Sequence, residues 1–218
     1  MTDSPSASSS TREGIHRRWP FAVRMLSPAS SYALSALLAL ALTSWLAWTE
    51  GPPTTVLLAI LVCATTGALI VLLTRRLLLA VVLTVAQVVL VTTISALKLK
   101  YMNMVLHAYD IAYYLMSSTN LNFLVANYDR PVLAAALVVM LATLIAVLAW
   151  RADPIRIPRS VAAILLLVFA SGATMAGLSL AERRHSLFGY KGMYVSSFYR
   201  SWAETLETLM RGRSVTVH

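Results

Sequence analysis

Charged side chains are scarce in this sequence of 218 residues. Asp, Glu, Lys and Arg together make up 12% of it and hydrophobic residues 58%, whereas a soluble globular domain carries about 25% charged residues. The low charge excludes an ordinary soluble domain. The net charge of +9 would suit a nucleic-acid binder, but the basic residues lie between apolar segments and not along one solvated face. We therefore predict a membrane protein with no nucleic-acid partner.

The residues of several common kinds of site are also missing. Cys63 is the only cysteine, which excludes an intrachain disulfide and a zinc site built from clustered cysteines and histidines. The sequence has no Gly-rich phosphate loop, no His-Glu-x-x-His motif and no carboxylate cluster for a divalent metal. We predict no catalytic residue, no metal site and no cofactor within this chain.

Long apolar segments are what the sequence has in abundance. Each of five is long enough to cross a hydrocarbon core of about 30 Å as a helix, and none has a charged residue in its interior. We predict an all-α, polytopic membrane protein with an interfacial loop between the third and fourth spans and an amphipathic C-terminal helix. The short turns predict that consecutive spans pack as antiparallel neighbours. The expected spans are 31–48, 54–73, 77–97, 132–150 and 158–178.

Lys and Arg are distributed unevenly between the two sides of these spans. Nine lie in the N-terminal segment and in the second and fourth loops, against three in the first and third loops, which predicts a cytoplasmic N-terminus. Five spans then put the C-terminus outside an inner or plasma membrane. The expected domains are a disordered cytoplasmic tail (1–28), a transmembrane domain (29–180) and an external amphipathic tail (181–218).

The third loop, 98–130, is rich in Tyr, Met and Asn. Such residues lie at headgroup depth beside a membrane, where amides and basic side chains can bind phosphate or glycerol oxygens. An aromatic belt with snorkelling lysines explains the composition equally well. One polar stripe of the third span leads towards this loop and comprises Thr84, Gln87 and Ser95. Such a stripe is suited to interhelical hydrogen bonds or to a polar cavity. The candidate headgroup-binding residues are Lys98, Lys100, Tyr101, Asp110, Asn120, Asn122 and Arg130.

Two roles are open for Asp110. With His107 it has the spacing of an acid and base pair on one helix face, but no nucleophile accompanies them. Pairing with Lys98 or Arg130, or accepting hydrogen bonds, is the simpler interpretation.

The tail after residue 179 has apolar residues at helical spacing, with Arg200, Glu204 and Glu207 off that face. This pattern predicts a short amphipathic helix that lies on the bilayer or docks on a partner. The candidate docking residues are Tyr194, Phe198, Trp202 and Leu206.

Three features together resemble a known group of proteins: Lys98-Leu-Lys-Tyr101 at the end of the third span, Asp110 shortly after it, and Tyr194-Val-Ser-Ser-Phe-Tyr-Arg-Ser201 after the fifth. They are similar to the N-terminal membrane region of lipoteichoic acid synthases and of phosphoglycerol or phosphoethanolamine transferases. In that group five spans precede an extracytoplasmic, sulfatase-like domain of the alkaline phosphatase superfamily. The resemblance implies that Lys98, Lys100, Tyr101 and Asp110 line the entrance for a phospholipid donor or a lipid-linked acceptor.

The metal-bound Thr nucleophile and the Asp, Glu and His ligands of that group lie in its globular domain, so no residue here inherits them. The chain is then a fragment, a module that works with a separate sulfatase-like partner, or a relative without catalysis. Our first hypothesis is a non-catalytic, lipid-binding module of a headgroup transferase system of the cell envelope. The alternatives are a membrane scaffold or lipid sensor that recruits a protein, and a small transporter, which the unbroken spans disfavour.

Overall fold

The computed structural model describes residues 26–111, 118–127, 129–181 and 193–210. In these ranges all regular structure is helical, which confirms the predicted all-α class. Residues 1–25 of the expected N-terminal tail, and 182–192 and 211–218 of the expected C-terminal tail, lie outside the described residues. The helices are α1 (Pro28–Glu50), α2 (Pro53–Thr74), α3 (Leu77–Met102), α4 (Ser118–Asn127), α5 (Asp129–Ala152), α6 (Arg159–Ala181) and α7 (Val195–Met210).

Helices α1, α2, α3, α5 and α6 are each long and apolar enough to cross a membrane. They contain four of the five predicted spans whole and the fifth from Arg159 onward, and the prediction of a polytopic membrane protein is confirmed. In α5 and in α6, only 6% of an 18-residue apolar stretch of the helix is buried within the protein. These two helices therefore leave most of their side chains unburied at the surface of the bundle.

Local residue chemistry sets where the spans begin and end. Ser27 caps α1, because its side-chain oxygen accepts a hydrogen bond from the Ser30 amide at 3.1 Å, and Pro28 occupies the first turn. Gly51 separates α1 from α2 with a φ of 70°. Arg75 ends α2 and Asn103 ends α3, both in the left-handed conformation that closes many helices.

Helices α2 and α3 form the central hairpin of the bundle. Helix α1 packs on both of them, α6 packs on α2, and α5 packs on α3. The expectation that consecutive spans are neighbours holds for α1, α2 and α3, but it is wrong for α5 and α6, which are not among the principal packing pairs. The reason is the path of residues 153–158, which pass the α2–α3 turn, where the Ile157 amide donates to the Arg75 carbonyl at 3.0 Å.

Small residues lie at two of these interfaces. A Cβ added at Gly172 of α6 would lie 3.3 Å from the Leu61 side chain of α2, and one added at Gly67 would lie 3.3 Å from Thr84 Oγ1 of α3. The absence of a side chain at each position lets the two backbones approach closely. Gly177, further along α6, has nothing within 4 Å of an added Cβ.

One end of the bundle, formed by residues 26–31, 74–78 and 150–159, is called the Arg end here. It is held together by Asp153, whose buried carboxylate accepts from Ser31 Oγ at 3.1 Å, from the Leu78 amide at 2.9 Å and from the Ile155 amide at 3.0 Å. The bond to Leu78 caps the start of α3, where the helix dipole favours a negative group. One side chain thus ties α1, α3 and the α5–α6 connection together.

The opposite end, formed by residues 50–53, 95–111 and 193–202, is called the Lys98 end. Here α7 packs into the bundle instead of lying on its surface. Val195 and Phe198 are buried in a core that α1, α2 and α3 also build. The amphipathic helix predicted from the sequence is present, but its first turns bury their apolar face against their own chain. The shared core comprises Leu46, Ala59, Cys63, Val88, Val91, Leu106, Val195 and Phe198.

Candidate functional site

A buried ion pair lies at the centre of the Lys98 end. Lys98 Nζ is 2.5 Å from Asp110 Oδ2, and each side chain is only 11% exposed. The same carboxylate oxygen accepts from the backbone amide of His107 at 2.7 Å. The prediction that Asp110 pairs with a basic residue and accepts hydrogen bonds is confirmed, with Lys98 as the cation.

The His107 ring takes a different place from that of a base beside Asp110. Its Nδ1 lies 2.9 Å from the Val105 carbonyl oxygen, and its ring stacks on Tyr109 with centroids 5.4 Å apart. The carboxylate of Asp110 instead bonds back to the amide three residues earlier, as in a capping box at the start of the helical turn 108–111. This geometry gives Asp110 a positioning role and does not favour acid–base chemistry.

Helix α7 is joined to this turn through Ser201. The Ala108 amide donates to Ser201 Oγ at 2.8 Å, and the Ser201 hydroxyl donates to the Phe198 carbonyl at 2.6 Å. A hydroxyl can accept and donate at once, so one serine satisfies both groups. The 98–111 segment and α7 therefore form one hydrogen-bonded unit.

Glu50, the last residue of α1, holds the start of α7. Its side chain is fully buried, and its carboxylate accepts from the Val195 amide at 2.7 Å, from the Ser196 amide at 3.2 Å and from the Ser196 hydroxyl. A carboxylate on the free amides of a helix N-terminus is stabilised by those bonds and by the helix dipole. Glu50 thereby fixes α7 to α1.

Tyr199 carries the contact deepest into the bundle. Its hydroxyl accepts a hydrogen bond from Gln87 Nε2 of α3. Gln87 lies 11 residues before Lys98, about 16 Å along the helix at ~1.5 Å per residue. Burial raises the pKa of Tyr199 from 10.0 to about 12, a hydrogen bond with Thr66 opposes the rise, and the nearby Cys63 adds to it. The phenol is therefore neutral at physiological pH.

Several amphipathic side chains at the Lys98 end are exposed. Lys100 is exposed, with its Nζ 5.7 Å from the centroid of the Tyr101 ring, and Tyr101 and Tyr109 are about half exposed. Partial burial, and then the negative charge of Asp110, raise the pKa of Tyr109. A cation beside aromatic rings at a span boundary is typical of the headgroup layer.

The predicted headgroup residues therefore separate into two roles. Lys98 and Asp110 are brought together and neutralise each other's charge, whereas Lys100 and Tyr101 are exposed. Asn122 is exposed on α4. The side chains of Asn120 and Arg130 lie outside the described part of the structure.

The predicted docking residues are divided as well. Phe198 is 5% exposed and so faces its own bundle, Tyr194 is half-buried, and Trp202 is 40% exposed. The side chain of Leu206 lies outside the described part of the structure. Among the described side chains of this set, Trp202 is the most exposed.

Sequence reasoning missed Glu50 and the two serines Ser196 and Ser201. Glu50 precedes Gly51 and two prolines, a sequence that indicates only a turn. The one available signal was an acidic residue at the end of an apolar span, where an unpaired carboxylate would be costly. The serines lie inside the Tyr194–Ser201 stretch that was noticed for its resemblance.

Among the described residues, no three His, Cys, Asp or Glu side chains come together as metal ligands. No family model, curated protein or solved structure matches the chain.

Proposed function

We propose that this chain is the membrane module of a phospholipid-headgroup transferase system that modifies envelope lipids or polymers. In this proposal it binds phospholipid at the Lys98 end and couples to an extracytoplasmic, sulfatase-like catalytic protein or domain, without catalysing the reaction itself. The observation that carries the proposal is the arrangement of this end: a largely buried ion pair with Lys100, Tyr101 and Tyr109 exposed around it.

The division of roles between the two lysines supports a headgroup site. The Lys98 ammonium is paired with Asp110, so its charge is neutralised within the protein and does not require a bound ligand. Lys100 is exposed at the same helix end, where a basic side chain attracts a phosphate at the membrane surface. The tyrosines beside it supply hydroxyls and ring faces at headgroup depth.

The proposed orientation places the Arg end in the cytoplasm and the Lys98 end outside the cell membrane. Arg75, Arg76, Arg151, Arg156 and Arg159 all lie at the Arg end. This excess of basic residues follows the positive-inside tendency. An extracytoplasmic catalytic partner would then meet the Lys98 end.

Lys100→Gln tests the headgroup site. The matched control is Arg156→Gln, which removes an equally exposed charge at the Arg end. In native mass spectrometry from mild detergent with added phosphatidylglycerol or phosphatidylethanolamine, we expect Lys100→Gln to weaken lipid binding about tenfold, the loss of one charge-assisted contact. Equal lipid binding by the Lys100→Gln and Arg156→Gln variants would argue against the site.

A scaffold or lipid sensor is the second candidate, and the position of Trp202 favours it. Trp202 is exposed one residue after Ser201, whose contacts hold this part of α7 in place. A fixed aromatic side chain suits protein docking. Loss of a co-purifying sulfatase-like protein in Trp202→Ala would support the transferase proposal. Loss of a partner of another class in Trp202→Ala, together with unchanged lipid binding in Lys100→Gln, would favour the scaffold or lipid sensor.

A further inference from the structure

A groove lies between α3 and α5, in the half of the bundle nearest the Arg end. It has a volume of about 570 Å³, within the roughly 300–1,000 Å³ of known ligand pockets. Its walls are almost entirely apolar, with Leu79, Leu83 and Leu90 on α3 and Ala142 and Val147 on α5. Since both helices are membrane spans, the groove faces hydrocarbon.

The length of the groove matches one leaflet. On α3 it runs from Leu79 to Leu90 and on α5 from Val138 to Arg151, which at ~1.5 Å per residue is about 17 to 20 Å. One leaflet is about half of a hydrocarbon core of ~30 Å. An acyl chain of the leaflet at the Arg end would therefore extend along most of the groove.

Basic residues stand at the mouth of the groove. Arg151 is exposed and lines the mouth beside Trp150. The Arg76 guanidinium lies 5.0 Å from the centroid of the Trp150 ring and donates to the Trp150 and Asp153 carbonyls. Both oxygens of the Asp153 carboxylate already accept hydrogen bonds.

We infer that this groove binds one anionic glycerophospholipid, with an acyl chain along the α3–α5 seam and its phosphate at Arg151. Charge complementarity favours this occupant, because two guanidinium groups flank the mouth and no carboxylate is among the described lining residues. Guanidinium groups bind phosphate through paired hydrogen bonds. This site is separate from the one at the Lys98 end, because Leu79 near the mouth of the groove and Lys100 are 21 residues apart on α3, about 32 Å at ~1.5 Å per residue.

Two matched pairs of variants test the inference. Arg151→Gln removes the exposed cation, with Arg156→Gln as a control for an equally exposed charge outside the groove. Ala142→Trp fills the groove, with Ala136→Trp placing the same bulk on an exposed α5 position that does not line it. The full chain in mild detergent is titrated with phosphatidylglycerol or phosphatidylcholine, and native mass spectrometry reads lipid and subunit number together.

We expect the groove to bind one phosphatidylglycerol more tightly than phosphatidylcholine, in addition to the lipid proposed at the Lys98 end. Arg151→Gln should weaken binding of this one phosphatidylglycerol about tenfold relative to Arg156→Gln, and Ala142→Trp should lower the number of bound lipids by one while Ala136→Trp leaves it unchanged. Lys100→Gln should leave the Arg151-dependent lipid in place, which separates this site from the proposed headgroup site.

Equal binding by the Arg151→Gln and Arg156→Gln variants would overturn the inference. So would a lipid-free dimer that Ala142→Trp converts to a monomer, because a second copy of the chain would then fill the groove. Arg151 is exposed and its replacement does not disturb the packing, so the charge test stands even if Ala142→Trp fails to fold.

Discussion

Replacing Glu50 by alanine removes the carboxylate that attaches α7 to the bundle. Three donors lose their acceptor: the Val195 amide, the Ser196 amide and the Ser196 hydroxyl. A buried donor without a partner costs about 1–3 kcal/mol, so the three together cost roughly 3–9 kcal/mol before water enters the vacated space. We take the lower end, about 3 kcal/mol, as the expected loss in the free energy that holds α7 in place.

Amide hydrogen exchange read by mass spectrometry measures this loss directly. About 1.4 kcal/mol corresponds to a factor of ten, so exchange in residues 195–202 should accelerate roughly a hundredfold in Glu50→Ala. Glu50→Gln keeps one acceptor oxygen at nearly the same volume and should give a smaller acceleration. The matched control is Thr49→Ala, which removes a single hydrogen bond within α1, from Thr49 Oγ1 to the Trp45 carbonyl.

The reasoning fails if exchange in residues 195–202 stays within about twofold of the wild-type rate in Glu50→Ala. That result would mean that the apolar packing of Phe198 and the bond between Tyr199 and Gln87 hold α7 alone. A uniform acceleration of amide exchange across all spans would equally contradict a local attachment of α7 by Glu50. The prediction requires the change to be concentrated in α7.

The remaining predictions concern three other polar contacts. Lys98→Ala leaves the Asp110 carboxylate buried without its cation and should lower the free energy of unfolding, measured by thermal denaturation, by roughly 3 kcal/mol. The double variant Lys98→Met/Asp110→Asn should recover most of that loss. An equal loss of stability in both variants would refute the ion-pair argument. Because the pKa of Tyr199 is raised from 10.0 to about 12 in the folded chain, its contribution is intact below pH 10 and about 2–3 kcal/mol is lost as pH rises to about 12. Tyr199→Phe should abolish this alkaline loss, and an unchanged ultraviolet phenolate titration in that variant would contradict it. Asp153→Ala should accelerate amide exchange at the start of α3, near Leu78, and leave α7 unchanged.

The spans and the short α7 were predictable because their signals are local. A run of apolar residues long enough to cross a bilayer has few alternatives, and the spacing of Phe198 and Trp202 indicates a helix whatever that helix packs against. The pairing of Lys98 with Asp110 was also within reach, since the two residues flank one short connection. Each of these inferences needs only a few neighbouring residues.

The contacts that organise the site were not predictable in this way. Glu50 meets Ser196 and Ser31 meets Asp153 across most of the chain, and no local pattern specifies either partner. These pairs depend on which helices are neighbours, and the packing of α6 on α2 and not on α5 shows that chain order alone does not decide that. For the same reason the sequence predicts α7 on the bilayer or on a partner and not within its own bundle. An amphipathic pattern gives a helix an apolar face but does not identify what covers that face.

The polar contacts of the Lys98 end form a continuous path from α1 to α3. Glu50 of α1 holds the start of α7, Ser201 of α7 holds the Ala108 amide, and Asp110 of that turn holds Lys98 of α3. Asp110 already neutralises the charge of Lys98, so a ligand at this end gains more binding free energy from the exposed Lys100 than from competing for Lys98. A ligand that did separate Lys98 from Asp110 would free the 108–111 turn from α3 while Glu50 still held α7. A lipid that separates this pair should therefore change the exchange of residues 104–111 before that of residues 195–202, whereas a lipid bound at Lys100 alone should leave both unchanged, and amide exchange can distinguish these outcomes.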